Sequence, residues 1–141
     1  MFMGEYNHTI DAKGRVIVPA KFREELGEEF VLTLGLDGCL FVYPNEEWEN
    51  FVNKLRELPG NKEARQLQRY FMAGAVTCEV DKQGRILIPS KLREKAELLK
   101  DVVFVGVVGK IEVWSKERWE ANTYDDMDAV AEHMSDLGIN F

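Results

Sequence analysis

The chain contains one nine-residue phrase twice. Residues 11–19 read DAKGRVIVP, residues 81–89 read DKQGRILIP, and each phrase is followed by Lys-x-Arg at the same spacing. The likeness continues, at an offset of 70 or 71 positions, over residues 6–49 and 76–120. Two copies are too few for a solenoid, which needs at least about three repeats to bury a continuous core. We therefore expect a pseudo-twofold fold in which each half of the chain completes the other.

Each copy has the sequence pattern of a small β-module. Alternating apolar and polar residues at 6–10 and at 76–80 predict a first strand. The Asp-x-x-Gly that follows predicts a tight turn, because aspartate accepts a backbone hydrogen bond and glycine tolerates a positive φ. A returning apolar strand, a proline that opens a short helix and two further strands complete the copy. The expected fold class is α+β.

The segment between the copies is predicted to be helical. An apolar stripe at helical spacing begins at Trp48 and ends before Pro59, and a second helix is predicted over residues 62–72. Its predicted inward-facing residues are Ala64, Leu67 and Phe71. The whole chain thus divides into a first module (5–47), a helical insert (48–75), a second module (76–119) and an acidic C-terminal helix or tail (120–141).

Charge is distributed unevenly along the chain. The net charge of −7 by itself disfavours a nucleic-acid partner. From residue 117 onward, however, seven acidic residues stand against one arginine, whereas residues 11–23 and 81–95 each carry a net charge of +3. A local patch, rather than the total, sets the field that a partner meets. The two repeated phrases are therefore basic islands in an acidic protein.

The residues that most enzyme and metal sites need are scarce. The histidines are His8 and His133, and the cysteines, Cys39 and Cys78, form no CxxC pair and are expected to be buried in a reducing cytoplasm. No P-loop, nucleophile elbow or GxGxxG is present, and no apolar run approaches the roughly 20 residues of a membrane span. We expect no catalytic residues, no metal, no cofactor and no membrane association.

The repeated turn has a structural and a functional interpretation. In the first, Asp11 and Gly14 merely shape a hairpin, and Arg15 begins the next strand, paired with its own aspartate. In the second, the arginines are ligands for nucleic acid, since the planar guanidinium matches guanine edges and phosphates. The recurrence of three cations at the same positions in both copies favours the second, because packing alone does not require them.

The pattern Asp-x-x-Gly-Arg, a short apolar run, Pro and Lys-x-Arg resembles the SpoVT/AbrB class of bacterial DNA-binding modules. Two such modules in one chain, opening with Met1-Phe2-x-Gly4 and joined by a helical insert near Trp48, are similar to the MraZ family. The resemblance implies a swapped-hairpin barrel, a ring-shaped homo-oligomer, and double-stranded DNA as partner. It also implies a transcriptional regulator of the bacterial division and cell-wall gene cluster, acting in the cytoplasm and nucleoid through repeated G-rich promoter boxes, its own promoter included.

The resemblance also assigns roles to individual residues. The family's motif arginines correspond to Arg15 and Arg85, and the helix arginine that related single-module proteins use corresponds to Arg23 and Arg93. Lys13 and Lys82 complete the predicted DNA-binding set, and the predicted loop-shaping residues are Asp11, Gly14, Asp81 and Gly84. Because Gln83 stands where the first turn has Lys13, the two loops are not expected to contact DNA equivalently, and Arg15 and Lys13 are the leading candidates.

A protein-interaction module is the alternative. Related swapped-hairpin proteins include antitoxins that wrap a toxin with an extra tail, and the acidic segment after Asn122 is a candidate for such a role. Duplicated modules argue against it, since those antitoxins are usually single-module chains.

Overall fold

The computed structural model describes residues 1–122 and 126–141. The strands are β1 (Glu5–Thr9), β2 (Arg15–Ile17), β3 (Glu29–Leu34), β4 (Leu40–Pro44), β5 (Val76–Glu79), β6 (Arg85–Leu87), β7 (Asp101–Val107) and β8 (Lys110–Ser115). The helices are α1 (Ala20–Leu26), α2 (Asn45–Arg56), α3 (Lys62–Ala73), α4 (Ser90–Lys95), α5 (Lys116–Ala121) and α6 (Met127–Asp136). The fold is mixed α+β, as predicted, and both copies follow the same order of elements.

Local chemistry explains where the helices begin. Pro19 and Pro89 occupy the N-cap positions of α1 and α4, where the helix needs no N–H from the proline. The side chain of Asn61 accepts a hydrogen bond from the backbone of Ala64 and so starts α3. Helix α2 begins at Asn45, directly after its N-cap Pro44 and ahead of Trp48, and the acidic residues of its first turn suit the positive end of the helix dipole.

The six-stranded sheet is built by exchange between the halves. Its strand order is β1-β7-β8-β4-β3-β5 and its strand pairs are antiparallel. The first strand of each half therefore pairs with the third strand of the other half, as β1 with β7 and β5 with β3. Exchanging the halves reproduces the same order in reverse, which places the pseudo-twofold axis between β4 and β8. This arrangement agrees with the expectation that each copy completes the other.

The six-stranded sheet is open, and the swapped-hairpin barrel that the resemblance implied is not confirmed. Strands β1 and β5 are the two edges of an open sheet. Strands β2 and β6 pair with each other instead, as a separate two-stranded antiparallel ribbon. Both ribbon strands are three residues long because each lies between a tight turn and a proline, which removes a ladder donor.

The main core lies between one face of the six-stranded sheet and the ribbon. Phe30 from β3 and Phe104 from β7 are fully buried there, as are Phe22 of α1 and Leu92 of α4. Val16 and Ile86 point inward from the two ribbon strands into the same cluster. Burying each such side chain contributes roughly 1.5–3 kcal/mol. The ribbon is thereby fixed to the body of the protein by its inner face.

The helical insert covers the opposite face of the sheet. Phe41 and Tyr43 of β4 pack there with Leu55 of α2 and Phe71 of α3. Thr33, buried in β3, donates its hydroxyl to the carbonyl of Phe71 at 2.7 Å. The two cysteines are buried, as predicted, and burial raises the pKa of Cys39 to about 12 and that of Cys78 to about 11. Both thiols are therefore protonated at neutral pH.

One prediction about the insert is wrong. Ala64 and Phe71 are buried, but Leu67 is 41% exposed instead of facing the core. Leu67 lines an open groove between the two insert helices and the end of the β7–β8 hairpin, and nothing within the described residues covers it. Helical spacing alone cannot distinguish a side chain on a packed face from one at the lip of a groove.

Two helices follow the second copy. Helix α5 is capped by Ser115, and Arg118 on it donates to the carbonyl of Gly38 at 2.8 Å. Helix α6 is capped by Asp126 and buries none of its side chains. Across residues 1–122 and 126–141, no helix has the length and apolar character that a membrane span requires.

Candidate nucleic-acid interface

The first turn is held together by one carboxylate. One oxygen of Asp11 accepts hydrogen bonds from the backbone N–H groups of Lys13 and Arg15, both at 2.9 Å. The other oxygen accepts the Nε–H of Arg15 at 2.8 Å. Gly14 has a φ of 86°, a backbone conformation that residues with a side chain rarely adopt. Asp11 therefore shapes the loop and also fixes the plane of the Arg15 guanidinium.

The second turn repeats this geometry. Asp81 accepts the backbone N–H groups of Gln83 and Arg85, and also the Nε–H of Arg85, all at 2.9 Å. Gly84 has a φ of 79°. In both turns the backbone hydrogen bond from the arginine lowers the pKa of the aspartate, and the arginine side chain lowers it further. Both carboxylates are accordingly ionised at neutral pH.

The aspartates leave most of each arginine fork available. In each pair the hydrogen bond uses the Nε donor. Within the described residues, the terminal Nη groups of Arg15 and Arg85 make no hydrogen bond. The side chains are partly exposed, at 33% and 25%. The structural interpretation is therefore correct in that each arginine pairs with its own aspartate. This pairing leaves the Nη donors, which a nucleic acid would meet, unoccupied.

The ribbon displays these arginines on its outer face. Arg15 lies opposite Leu87, and Ile17 lies opposite Arg85. Because the intervening Val16 and Ile86 are buried, the other four side chains lie on the opposite face. Ile17 is 42% exposed and Leu87 is 57% exposed. The outer face thus carries two cation–apolar cross-strand pairs related by the pseudo-twofold.

Each helix arginine lies on the turn of the other half. A Cβ atom added to Gly14 would lie 2.9 Å from the guanidinium carbon of Arg93. A Cβ atom added to Gly84 would overlap the guanidinium of Arg23. Arg93 also donates from Nε to the carbonyl of Ile88 at 2.9 Å. The absence of side chains at these glycines is therefore what admits the two arginines.

Backbone hydrogen bonds join each turn to the opposite copy. The N–H of Val18 donates to the carbonyl of Gly84, and the N–H of Ile88 donates to that of Gly14, both at 2.9 Å. The predicted DNA-binding residues consequently form two groups, one at each end of the ribbon. One group is Lys13, Arg15 and Arg93, and the other is Lys82, Arg85 and Arg23.

Sequence reasoning named all six of these cations but missed two things. It did not foresee that each group draws its helix arginine from the other copy. It also treated Ile17 and Leu87 as ordinary strand residues, although each is separated from an arginine by one position on a strand between a turn and a proline. That alternation is the signal that could have identified the outer face.

The cations of the ribbon region have acidic neighbours. Acidic side chains, among them Glu24, Glu28 and Glu79, line an open pocket beside Arg23. Burial lowers the pKa of His8, and the nearby charge of Arg23 lowers it further. His8 is therefore neutral at pH 7 and adds no charge to the site. In the described part of the chain, no group of three or more histidine, cysteine or carboxylate side chains could hold a metal ion.

Comparison with known proteins identifies relatives over the full chain. A family model described as "MraZ protein, putative antitoxin-like" matches twice, at residues 1–70 and 71–136. The chain is 74% identical over 141 residues to the transcriptional regulator MraZ of Lachnoclostridium phytofermentans, with all of both chains covered. It is 62% identical over 143 residues to the transcriptional regulator MraZ of Thermoanaerobacter sp. strain X514, and 53% over 142 residues to that of Clostridium tetani. In both cases 99% of this chain and 100% of the relative are covered.

The repeated turn, the exchanged strands and these matches agree with one another. Each of the two family-model segments contains one copy of the internal repeat, with one complete Asp-x-x-Gly-Arg turn. This chain belongs to the MraZ family.

Proposed function

We propose that this protein is a sequence-specific DNA-binding regulator of transcription. Its proposed targets are short, repeated G-rich boxes in the promoter of the bacterial division and cell-wall gene cluster, including its own promoter. It acts in the cytoplasm and nucleoid as a ring-shaped homo-oligomer, with no catalytic step. The names of its relatives support the regulatory role, since each is called a transcriptional regulator.

The outer face of the β2–β6 ribbon is the observation that carries the proposal. A two-stranded ribbon fits the major groove of B-DNA, which is about 12 Å wide. Arg15 and Arg85 lie on this face in a twofold-related register, and their Nη donors suit the O6 and N7 acceptors of guanine. Each good bidentate contact is worth about 1–3 kcal/mol of discrimination against a wrong base.

The aspartates have a defined part in this mechanism. By taking the Nε donors, Asp11 and Asp81 hold the two guanidinium planes in one orientation before DNA arrives. A preorganised side chain loses less conformational freedom when it binds. Each Asp–Arg pair is also close to neutral, so its contribution to affinity is directional and depends little on salt.

The remaining cations are suited to phosphates. Lys13 and Arg93 at one end of the ribbon, and Lys82 and Arg23 at the other, flank the strands that would enter the groove. Lysine and arginine beside a groove-binding element contact the backbone and fix register. Binding should therefore weaken as salt rises, because each phosphate contact releases counterions.

Several subunits that bind several DNA boxes at once would add to the affinity of a single ribbon. One ribbon makes few contacts, so a single chain should bind one box weakly. A ring that presents several ribbons makes later contacts intramolecular, and this raises overall affinity without any new interaction. The gain depends on box spacing that matches the spacing of the subunits.

The test is binding to DNA immediately upstream of the protein's own gene. Fluorescence anisotropy with that duplex should give a higher affinity than with a shuffled duplex of equal length. Footprinting should show protection at repeated G-rich boxes. Affinity should fall linearly on a log–log plot against salt. Equal affinity for the two duplexes, or an affinity independent of salt, would disprove the proposal.

The description of the family model as antitoxin-like supports a second candidate function, a protein-interaction module. In that alternative the acidic tail binds a partner protein. Deletion of the residues after Asn122 would then abolish partner binding and leave promoter binding intact, whereas the DNA-binding proposal requires no such partner.

A further inference from the structure

An open apolar groove lies on the side of the molecule covered by the helical insert. Its volume is about 680 Å³, and its walls are α2, α3 and the turn between β7 and β8. Four aromatic rings, Phe41, Tyr43, Phe51 and Phe71, contribute to its lining. They hold one another in place, since Phe51 stacks on Tyr43 at 5.1 Å and meets Phe71 edge-on at 5.0 Å. The groove is therefore preformed.

Apolar side chains at the lip of the groove are exposed. Leu36 is 51% exposed and Val108 is 65% exposed, and Leu67 also reaches the lip. None of these residues belongs to the ribbon. A preformed apolar groove with exposed apolar edges is the kind of surface that receives the apolar face of an amphipathic helix.

Helix α6 has such a face and leaves it uncovered. Met127, Val130, Met134 and Leu137 follow one another at spacings of three, four and three residues, which places them on one side of the helix. Val130 is 49% exposed, and no residue of α6 is buried. A ten-residue helix is only marginally stable alone in water, so α6 requires a surface to pack on.

The two surfaces are complementary in charge. Residues 126–141 carry four carboxylates and no lysine or arginine. Lys54 and Lys110 line the groove, where Lys110 lies 4.9 Å from the centre of the Phe41 ring, and Glu47 is the acidic residue among the lining side chains. Helix α3 carries three cations against one acid, and α2 carries two cations against three acids, so these two walls together have a net charge of +1. An acidic amphipathic helix therefore suits this groove better than a basic one.

We propose that α6 of one chain docks in the α2–α3 groove of a neighbouring copy of the same chain. The described residues of a single chain leave both its groove and its helix uncovered, which favours the neighbouring copy as occupant. Helix and groove are different surfaces, so the contact is heterologous, and a heterologous contact forms a ring when its rotation closes after a whole number of subunits. The inference rests on the proposed ring oligomer and names the contact that would build it.

The first experiment measures the mass of the assembly with matched variants. Val130→Asp places a charge on the apolar face of α6, and Ala129→Asp places the same charge next to it but off that face. Leu67→Asp and Gln66→Asp form the corresponding pair on α3. All four positions are exposed, so the fold should survive. Light scattering should show the higher-order assembly for the unaltered chain and both controls, and self-association at least tenfold weaker for Val130→Asp and Leu67→Asp.

A mixing experiment tests that the contact joins two chains. Val130→Asp retains an intact groove, and Leu67→Asp retains an intact helix. Mixed together, they should form a one-to-one pair through one unaltered contact and grow no further, at a concentration where each alone is mostly monomeric. Circular dichroism of each variant confirms that the β-sheet body is folded.

The outcomes separate this inference from the proposed function. If the unaltered chain assembles and Val130→Asp assembles equally well, the helix-in-groove contact is wrong and the ring proposal survives. If Val130→Asp keeps its mass but loses helicity, α6 packs on its own chain, and the inference is again wrong. A monomeric unaltered chain that still binds the promoter duplex would overturn both this contact and the ring, but not DNA binding.

Discussion

Arg93, on helix α4 of the second half, lies directly against Gly14, in the turn of the first half. A Cβ atom at Gly14 would come within 2.9 Å of the Arg93 guanidinium carbon. In the pseudo-twofold-related contact, the guanidinium of Arg23 lies against Gly84. The glycine therefore has two functions, since it permits the positive φ of the turn and also gives room to a cation from the other copy. This contact explains how two distant segments form one candidate interface.

Replacement of that glycine should separate the two functions. Gly14→Ala should destabilise the fold by about 1–2 kcal/mol because of its positive φ, and should also displace Arg93 and weaken promoter binding severalfold. Gly38→Ala is the matched control, because Gly38 has a φ of 91° and also abuts an arginine, Arg118, away from the ribbon. Urea unfolding should show a loss for both variants, and anisotropy should show weaker binding only for Gly14→Ala. Equal DNA affinity in the two variants would show that Gly14 has no specific part in DNA binding.

The turn aspartates predict a loss of stability in acid. Hydrogen bonds to the folded backbone and arginine hold the pKa of Asp11 and Asp81 below the ordinary value of 3.8. Because the pKa of each aspartate is lower in the folded protein than in the unfolded chain, its ionisation stabilises the fold fully at any pH above the unfolded-state pKa. That stabilisation is lost as the pH falls through the folded-state pKa. The free energy of unfolding should therefore decline below about pH 4. Asp11→Asn combined with Asp81→Asn should make that decline shallower in urea titrations, and an unchanged decline would contradict the assignment.

The exposed apolar residues of the ribbon should affect sequence preference more than stability. Ile17→Ala and Leu87→Ala remove surface that faces away from the core, so the change in stability should stay within about 0.5 kcal/mol. On the proposed interface these side chains meet base edges such as the thymine methyl group. Promoter affinity should fall severalfold, with weaker discrimination against a shuffled duplex. Leu99→Ala, which is also exposed but lies outside the ribbon, serves as the control. If the ribbon variants discriminate between the promoter and shuffled duplexes as well as the unaltered chain does, Ile17 and Leu87 are not part of the interface.

Much of this architecture could be predicted from the repeat. Strand, turn and helix signals in one copy were repeated in the other, so each weak signal was observed twice. Sequence also predicted the pairing of Arg15 with Asp11 as one interpretation of the turn, and the hydrogen bond is present. Which halves exchange strands could not be predicted, because the alternating pattern of β1 is satisfied equally by β3 or β7 as partner.

Other features depended on tertiary contacts that no local pattern encodes. The six-stranded sheet is open and β2 pairs with β6, so the barrel expected from the resemblance is not confirmed. Cross-copy hydrogen bonds such as Val18 to Gly84 accompany this pairing. Leu67 has the spacing of a core residue and lies at the lip of a groove. The cross-copy placement of Arg93 and Arg23 likewise follows from the strand exchange, which brings each helix beside the opposite turn.

The most direct test of the proposed interface is the promoter affinity of Arg15→Ala. We expect its dissociation constant for the upstream duplex to rise at least about tenfold, since one bidentate guanine contact is worth about 1–3 kcal/mol. Arg85→Ala should have a smaller effect, and Lys116→Ala, which removes one cation from α5, should have little. Circular dichroism and light scattering should show the same fold and assembly for all three. Undiminished affinity of Arg15→Ala in a protein of normal fold and mass would contradict the central claim that the ribbon arginines read DNA.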